Sequence, residues 1–263
     1  MLFVISPAKA LDYTSPATAV TATEPEFQSQ AKQLIAVMDK KSPQEVAQLM
    51  GLSDKLAALN VARYAAWRAK PAADAVRPAV FAFDGDVYDG LGARDLPADA
   101  LDWMQGHVRI LSGLYGSLRP LDNLQAYRLE MGTKLITERG ADLYHFWGER
   151  IAKSLNQALD AQHGDEANSA VLVNLASQEY FRAVDRKALK ARVVECVFQD
   201  EKNGEYKIIS FFAKRARGAM LRWAVERQID APDDLKGFDG DGYTWVAAAS
   251  KPDRLVFRRK EKA

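Results

Sequence analysis

The sequence has 263 residues, of which 48% are hydrophobic and 27% are charged, a composition typical of a globular protein with a sizeable core. Its 36 basic and 35 acidic residues nearly balance, so net charge alone indicates neither a nucleic-acid nor a membrane partner. The apolar run at residues 2–5 is too short for a signal peptide, and no stretch approaches the roughly 20 apolar residues of a membrane span. One cysteine, Cys196, excludes an intrachain disulfide and favours a cytoplasmic location.

The N-terminal part of the chain predicts a short buried strand followed by three helices. The strand is the apolar run at residues 2–5. Proline near the first turn predicts a helix over 24–41, and the capping box Ser-Pro-Gln-Glu begins a second helix over 42–50. Gly51 is the expected C-terminal cap of that second helix, and a third helix follows over 53–70.

In the rest of the chain, short apolar runs predict strands, and apolar residues spaced by four predict a long helix from Asp142. Asn203-Gly204 predicts a hairpin. Helices and strands alternate along the chain without the regular β-α-β order of a parallel sheet. This order predicts one mixed α/β (α+β) domain over residues 1–263, with a partly antiparallel sheet and surrounding helices. The predicted elements are strands at 79–83, 108–111, 170–177, 192–198, 206–212, 243–247 and 254–258, and helices at 97–105, from 142 and from about 213.

The stretch LMGLSDKLA, residues 49–57, joins the second and third helices. It resembles the hairpin of helix-hairpin-helix modules in DNA repair proteins, with Met50 in place of proline and Ser53 in place of the second glycine. Free N–H groups at the start of the third helix would attract a phosphate, and Lys55 would add a contact that does not depend on base sequence. The alternative is a plain turn in which Gly51 and Ser53 only cap the helices.

A basic segment, residues 207–225, carries five cations and no acid. With a helix starting near residue 213, three of these cations would lie near its first turn, where they oppose the helix dipole, and Gly218 would weaken the helix further. The pattern indicates either an anion that neutralises the cations or ion pairs with acids elsewhere in the chain. The five cations are Lys207, Lys214, Arg215, Arg217 and Arg222.

Further polar candidates lie at strand ends and in the glycine-containing segment 111–132. Arg128 and Glu130 alternate with apolar neighbours, which predicts that both lie on one face of a strand. They would form either a structural ion pair or part of a catalytic polar pocket. The remaining candidates in this cluster are Lys9, Arg119, Asn174, Ser177, Glu179 and Tyr180.

Neither a cofactor nor a metal is predicted. The chain has no glycine-rich nucleotide-binding loop, no dinucleotide fingerprint and no cluster of His and Cys ligands. Cys196 lies in an apolar strand context and is interpreted as an inert core thiol. The acid-rich stretch with Asp84, Asp86, Asp89 and Asp95 lacks the spacing of a calcium loop.

Seven strings spread along the chain resemble the YaaA family of bacterial peroxide-stress proteins. They are ISPAKALDY, GDVYDGL, LSGLYGSLRPLD with YRLEMG, LYHFWGERI, VNLASQEYF, DEKNGEYKIISFFAKRARG and GFDGDGY. The resemblance implies an unusual mixed α/β fold, a cytoplasmic location and protection of DNA and protein against hydrogen peroxide, linked to unincorporated iron. It also implies DNA binding through a positively charged cleft, matched at Lys214, Arg215 and Arg217, and through a helix-hairpin-helix element, matched at residues 51–55.

The first hypothesis is therefore a non-enzymatic protein that binds DNA phosphates in the oxidative stress response. Trp67 is an aromatic candidate for stacking on unpaired bases, but the favoured role for this residue is in the core. Its expected partner is double-stranded DNA, with unpaired or junction regions as further candidates, and no membrane. The alternative is an enzyme acting on a phosphorylated or nucleotide substrate, with Glu130 or Glu179 as acid or base. Direct iron binding is a third hypothesis. The candidate phosphate contacts are Lys214, Arg215, Arg217, Arg222, Gly51, Ser53, Lys55, Lys9, Arg119 and Arg128.

Overall fold

A computed structural model describes residues 1–16, 19–163 and 170–260 of the chain. Its helices are α1 (Gln28–Met38), α2 (Pro43–Met50), α3 (Asp54–Ala66), α4 (Ala79–Ala82), α5 (Asp86–Leu91), α6 (Ala98–His107), α7 (Leu143–Trp147), α8 (Arg150–His163), α9 (Gln178–Phe181) and α10 (Ser210–Glu226). Its strands are β1 (Leu2–Ile5), β2 (Ala10–Leu11), β3 (Val76–Pro78), β4 (Phe83–Asp84), β5 (Val108–Ser112), β6 (Gly116–Leu118), β7 (Asn123–Gln125), β8 (Val171–Leu175), β9 (Arg192–Lys202), β10 (Glu205–Lys207), β11 (Thr244–Trp245) and β12 (Arg254–Arg259).

The main sheet within these residues has eight strands and is mostly parallel. β1 pairs in parallel with β5 and β8, β8 with β9, and β9 with β12. The short strands β6, β10 and β11 add antiparallel pairs. All four residues of β1 are buried, as expected for a central strand of a parallel sheet. The predicted mixed α/β class is confirmed.

The order of the parallel strands defines a crevice at one edge of the sheet. Across the sheet they run β5-β1-β8-β9-β12, so the direction of the connections reverses between β1 and β8. In open α/β sheets, ligands bind at such a switch point, outside the carboxyl ends of the strands. Ser6 follows β1 and Ser177 follows β8, and the Ser177 N–H donates a hydrogen bond of 2.9 Å to Ser6 Oγ. The two strand ends that border the crevice are therefore held together.

Helices α5 and α10 approach each other closely beside this crevice. A Cβ atom at Gly218 would lie 1.8 Å from the carbonyl oxygen of Val87, and one at Gly90 would lie 2.2 Å from that of Arg215. Both glycines are thus required where two helix backbones touch. Gly218, which the sequence marks only as a residue that weakens the helix, is therefore explained by the close approach of the α5 backbone.

Three element predictions need correction. Residues 79–82 form α4 rather than a strand, because a short apolar run fits a buried helix as well as a buried strand, and this one starts directly after Pro78. The long helix predicted from Asp142 is two helices, since Gly148 takes a left-handed φ of 48° and ends α7. The strand predicted over 206–212 stops at Lys207, and α10 begins at Ser210 instead of near 213.

The helix starts and ends marked by capping residues are confirmed. Ser42 and Glu45 form the reciprocal capping box of α2, and Gly51 ends that helix with a left-handed φ of 62°. Asn203 and Gly204 form the turn between β9 and β10, both with positive φ. None of the helices in the described part of the chain is long and apolar enough to cross a bilayer.

Candidate functional site

A cleft with a volume of about 410 Å³ opens at the carboxyl ends of β1 and β8, and we call it the switch-point cleft. This volume lies within the range of sites for small ligands. Five separate segments of the chain meet there: the ends of β1 and β8, the β4–α5 junction, the segment around residue 130, and α10. Its charged and hydroxyl side chains are those of Ser6, Lys9, Asp84, Asp86, Glu130, Ser177, Glu179, Tyr180, Lys214 and Arg217.

Glu130 is the centre of a charged cluster in the switch-point cleft. It accepts hydrogen bonds from Arg128 Nε at 3.0 Å and Arg128 Nη2 at 2.8 Å, and Lys9 Nζ lies 3.4 Å away. Arg128 and Glu130 are both half-buried, whereas Lys9 is exposed. The predicted Arg128–Glu130 ion pair therefore exists, and it also borders a polar pocket.

Arg128 and Glu130 do not lie on a strand, contrary to the prediction. Their segment follows β7 and lies outside the described strands. Its backbone packs against Gly113, where a Cβ atom would lie 2.2 Å from the carbonyl oxygen of Leu129. The alternation of burial persists in this extended segment, and it keeps both charged side chains on one side.

Lys214 and Arg215 lie in the second turn of α10, and of the two only Lys214 lines the switch-point cleft. Because α10 begins at Ser210, the free N–H groups of its first turn precede these cations, and the predicted conflict with the helix dipole is smaller than expected. Lys214 Nζ lies 3.9 Å from Asp86, and Arg215 Nε lies 3.6 Å from Asp241. Both contacts are longer than a hydrogen bond, and both cations are half-exposed.

Arg217 lies deeper in the switch-point cleft. Its Nε atom is buried and has no hydrogen-bond partner among the described residues. Burial lowers the pKa of the Arg217 guanidinium, although arginine keeps its charge in proteins. A buried donor without a partner is unfavourable in a folded protein. A ligand oxygen at this position would therefore gain a charge-assisted hydrogen bond.

Glu179 is held at the mouth of the switch-point cleft by its backbone surroundings. Its Oε1 atom accepts a hydrogen bond of 2.9 Å from the Gly132 N–H, and its carbonyl oxygen accepts one of 3.0 Å from the Tyr144 hydroxyl. Burial raises the pKa of the neighbouring Tyr180 hydroxyl well above its usual range. The Tyr180 hydroxyl is therefore neutral at physiological pH. Of these two neighbouring residues, Glu179 carries the solvent-exposed carboxyl group.

Three predicted polar residues have structural roles outside the cleft. Arg119 forms an ion pair of 2.9 Å with the buried Asp122 and lines a different hollow. Arg222 donates hydrogen bonds to the carbonyl oxygens of Leu91, at the end of α5, and of Gly92 just after it, and it forms a 2.8 Å ion pair with Glu226. Asn174 Oδ1 accepts a hydrogen bond from the Ala176 N–H in the turn after β8. Arg119 and Arg222 therefore each have a carboxylate partner close by, which for Arg222 agrees with the ion-pair alternative for residues 207–225.

The segment for which the sequence predicts a helix-hairpin-helix element is a three-residue connection between α2 and α3. Gly51, Ser53 and Lys55 are all exposed. Ser53 occupies the N-cap position of α3, yet within the described residues its side chain makes no capping hydrogen bond. From the start of α3 to Tyr64, whose hydroxyl binds the carbonyl oxygen of Arg128, the helix rises about 15 Å. The hairpin is therefore a separate surface from the switch-point cleft.

Trp67 has the core role that the sequence favours and not the stacking role, because its side chain is buried and its Nε1 donates to the Tyr115 hydroxyl at 3.0 Å. Cys196 is also buried, and burial raises the pKa of its thiol to about 12. It is therefore a protonated core thiol, not a reactive thiolate. In the described ranges, no group of three or more His, Cys, Asp or Glu side chains is arranged to hold a metal ion.

Sequence reasoning missed the roles of Ser6, Asp86 and the exposed Phe211 and Phe212. Ser6 directly follows a buried strand, a position where a polar residue marks the edge of a sheet. The sequence marks Asp86 only as part of an acid-rich stretch, because the cation nearest to it in the fold, Lys214 at 3.9 Å, is distant along the chain. The sequence predicts that Phe211 and Phe212 belong to a strand, so it does not reveal that both are exposed on a helix.

The fold and the cleft together define a mixed α/β protein with a charged, ligand-sized cleft at the switch point of its sheet. The family model described as "Peroxide stress protein YaaA" matches residues 1–249, so the chain belongs to the YaaA family of peroxide stress proteins. The chain is 60% identical over 261 residues to a UPF0246 protein of Albidiferax ferrireducens, covering 99% of both chains. It is 60% identical over 262 residues to one of Paracidovorax citrulli, also covering 99% of both. A UPF0246 protein of Bordetella pertussis is 57% identical over 261 residues, covering 99% of this chain and 100% of its own.

The strings that carry the family resemblance converge on the switch-point cleft. ISPAK supplies Ser6 and Lys9, GDVYDGL supplies Asp86, and YRLEMG supplies Glu130. VNLASQEYF supplies Ser177, Glu179 and Tyr180, and FFAKRARG supplies Lys214 and Arg217. Five of the seven strings therefore contribute residues to this cleft, and the family connects the chain with peroxide stress.

Proposed function

We propose that this protein binds the phosphate backbone of DNA in the peroxide stress response, through the start of α10 at the rim of the switch-point cleft. The observation that carries the proposal is the convergence of Lys9, Lys214 and Arg217 on one open cleft. Lys9 and Lys214 are exposed, and the contact of Lys214 with Asp86 is too long for a hydrogen bond. The Lys214 ammonium group can therefore turn to a phosphate oxygen without breaking a close ion pair, whereas that of Lys9 would exchange its 3.4 Å contact with Glu130 for the phosphate.

The exposed hairpin supports a second contact with the same DNA. Gly51 and Ser53 leave the first N–H groups of α3 facing solvent, and Lys55 follows in its first turn. A helix start with a nearby lysine is suited to a phosphate and reads no base sequence. Because this hairpin and the rim of α10 are separate surfaces, together they would contact two separate phosphate groups along the DNA. Binding of this kind is independent of sequence and depends strongly on salt.

A salt series tests the proposal. Fluorescence anisotropy of a labelled 25-base-pair duplex is measured at several salt concentrations for the wild type and for Lys214→Ala/Arg215→Ala. Each phosphate contact contributes about 0.9 to the slope of log affinity against log salt, so the double variant is expected to lower the slope by about two. Its affinity at low salt should fall accordingly.

The matched control removes the same charge from the opposite edge of the sheet. Lys187 and Lys190 are exposed and precede β9, whose amino end is far from the start of α10. Lys187→Ala/Lys190→Ala is expected to leave the slope unchanged. Equal slopes for the wild type and both variants would show that Lys214 and Arg215 are not phosphate contacts.

A second candidate function is favoured by the acids in the switch-point cleft. Glu130 and Glu179 lie with Lys9 and Lys214 in one cleft, as an enzyme acting on a phosphorylated or nucleotide substrate requires, whereas Arg119 lies outside it. Such an enzyme would bind a mononucleotide, and Lys9→Ala should weaken that binding at least severalfold while Lys187→Ala should not. Calorimetry with millimolar adenosine and thymidine monophosphates checks this, and flat traces for both would contradict the second candidate.

A further inference from the structure

A polar hollow lies between α8 and β6, the last strand at one edge of the main sheet. Its volume of about 350 Å³ is within the range of sites for small ligands. The residues that line it are different from those that line the switch-point cleft, so the proposed DNA contacts do not occupy it. We call it the β6 hollow, and its polar side chains include those of Glu26, Arg109, Ser117, Arg119, Asp122 and Ser154.

The register of β5 and β6 brings three hydrogen-bond donors to one face of the sheet. Ser117 pairs with Leu111, and the same register continued by two residues sets Arg119 opposite Arg109. Cross-strand partners share a face, and so do residues two apart on a strand. Arg109, Ser117 and Arg119 therefore lie together on the face that α8 covers, where Ser154 of α8 lines the same hollow.

Arg109 is the cation of the β6 hollow that lacks a close acid. Its Nη1 donates to the carbonyl oxygens of Gln105 at 3.1 Å and Val108 at 2.8 Å, and among the described residues its Nε and Nη2 have no hydrogen-bond partner. Arg119, by contrast, is paired with Asp122 at 2.9 Å. Burial, and next the charge of Arg119, lower the pKa of the Arg109 guanidinium to about 10, which leaves it charged at neutral pH. Arg109 can therefore bind an anionic oxygen without giving up an ion pair.

Ser117 is a buried polar residue beside Arg109. It is only 2% exposed, and in the part of the chain that the structure describes its hydroxyl has no hydrogen-bond partner. A buried hydroxyl without a partner is unfavourable, and such groups are normally satisfied by protein, water or a ligand. A ligand oxygen between the Ser117 hydroxyl and the Arg109 guanidinium would accept hydrogen bonds from both.

The β6 hollow also carries a carboxylate that is held in place. The buried Ser154 donates a hydrogen bond of 2.6 Å from its Oγ to Glu26 Oε2, which leaves Oε1 free to accept another. Since Arg119 and Asp122 neutralise each other, the charges left for a ligand are one guanidinium and one carboxylate. A molecule with one negative and one positive group complements this pair, whereas a phosphate would bring two negative charges close to Glu26.

We propose that the β6 hollow binds a free α-amino acid. Its carboxylate would accept hydrogen bonds from Arg109 and Ser117, and its ammonium group would lie beside Glu26. A hollow of about 350 Å³ also has room for the side chain of the amino acid. This site goes beyond the proposed function, because none of its groups belongs to the proposed DNA contacts.

Thermal denaturation of the full chain with each of the common amino acids, at about 10 mM, tests the inference. At least one amino acid is expected to raise Tm by about 2 °C or more, and calorimetry then gives its affinity. Ser117→Ala should bind that amino acid about tenfold more weakly, because a hydrogen bond to its carboxylate is lost. Without ligand, this variant should unfold at the same temperature as the wild type or higher, since it removes a buried hydroxyl that has no partner in the described ranges.

Two further variants test the charged contacts. Arg109→Lys keeps the positive charge but loses the planar guanidinium, so it should weaken binding by about tenfold as well. Glu26→Gln should weaken binding of the amino acid about tenfold, and it should not weaken binding of the deaminated analogue, which lacks the ammonium group. Glu24→Gln is the matched control for Glu26→Gln, because Glu24 lies two residues earlier and does not line the β6 hollow. It should leave both affinities unchanged.

Three results would overturn the inference. The first is a wild type whose Tm no amino acid raises. The second is binding that keeps its full affinity in both Ser117→Ala and Arg109→Lys, which would place the amino acid elsewhere on the chain. The third is equal affinity of the wild type for the amino acid and its deaminated analogue, which would assign the β6 hollow to a simple carboxylate.

Discussion

Replacing Gly218 with alanine is expected to lower the free energy of unfolding by about 2–3 kcal/mol, although alanine is the better helix former. The added Cβ atom would lie 1.8 Å from the Val87 carbonyl oxygen, and backbone on the opposing helix cannot move aside as a side chain can. α10 must then shift away from α5. Because α10 carries Lys214 and Arg217, the same shift should weaken DNA binding.

Gly106→Ala is the matched control for this prediction. Gly106 lies in α6, and a Cβ atom there would have no other atom within 4 Å. Alanine should therefore raise the free energy of unfolding by about 0.5–1 kcal/mol. Urea denaturation of the two variants should thus show midpoint shifts of opposite sign. A stabilising shift for both would mean that the α5–α10 contact is looser than described.

Replacing Arg259 with methionine is expected to destabilise the protein by about 3–5 kcal/mol, because it leaves the buried carboxylate of Asp200 without a counter-charge. Asp200 is only 5% exposed. It accepts hydrogen bonds from Arg259 Nε at 2.7 Å and from the Tyr243 hydroxyl at 2.9 Å, and Arg259 Nη2 lies 2.6 Å away. This triad joins the ends of β9 and β12 to the chain just before β11.

Two further variants separate loss of charge pairing from loss of the arginine itself. Asp200→Asn/Arg259→Met should recover most of the stability, since no buried charge remains and Tyr243 can still donate its hydrogen bond. Arg192→Met should cost less than about 1 kcal/mol, because Arg192 and Asp253 form an exposed ion pair of similar length, 2.6 Å. Thermal denaturation of the three variants measures how much stability each one loses, and Arg259→Met is expected to lose the most. Equal losses of stability for Arg192→Met and Arg259→Met would contradict the account.

Elements whose signals are local could be predicted from the sequence. The capping box at Ser42, the left-handed Gly51 and the Asn203-Gly204 turn are each encoded in two to four residues. The element at residues 79–82 was not predictable in this way. An apolar run of that length fits a buried helix or a buried strand, and tertiary packing decides between them.

The site was predictable as a set of residues but not as a geometry. Lys9, Glu130 and Lys214 were recognised as candidates, yet only the parallel order of the strands brings them to one cleft. By the same signals Arg119 and Arg222 looked equivalent to Lys214. Each has a close carboxylate partner in the fold, and neither lines the switch-point cleft. The partner of a charged side chain is set by contacts distant in sequence, which a single sequence does not reveal.

Lysine acetylation read by mass spectrometry, with and without bound duplex, tests the DNA-binding site most directly. Lys9 and Lys214 should be acetylated several times more slowly in the complex, because phosphates would cover both ammonium groups. Lys187 and Lys190, before the amino end of β9, should react equally in both samples. Unchanged acetylation of Lys9 and Lys214, in a sample where anisotropy shows the duplex to be bound, would contradict the account and place the DNA on another surface.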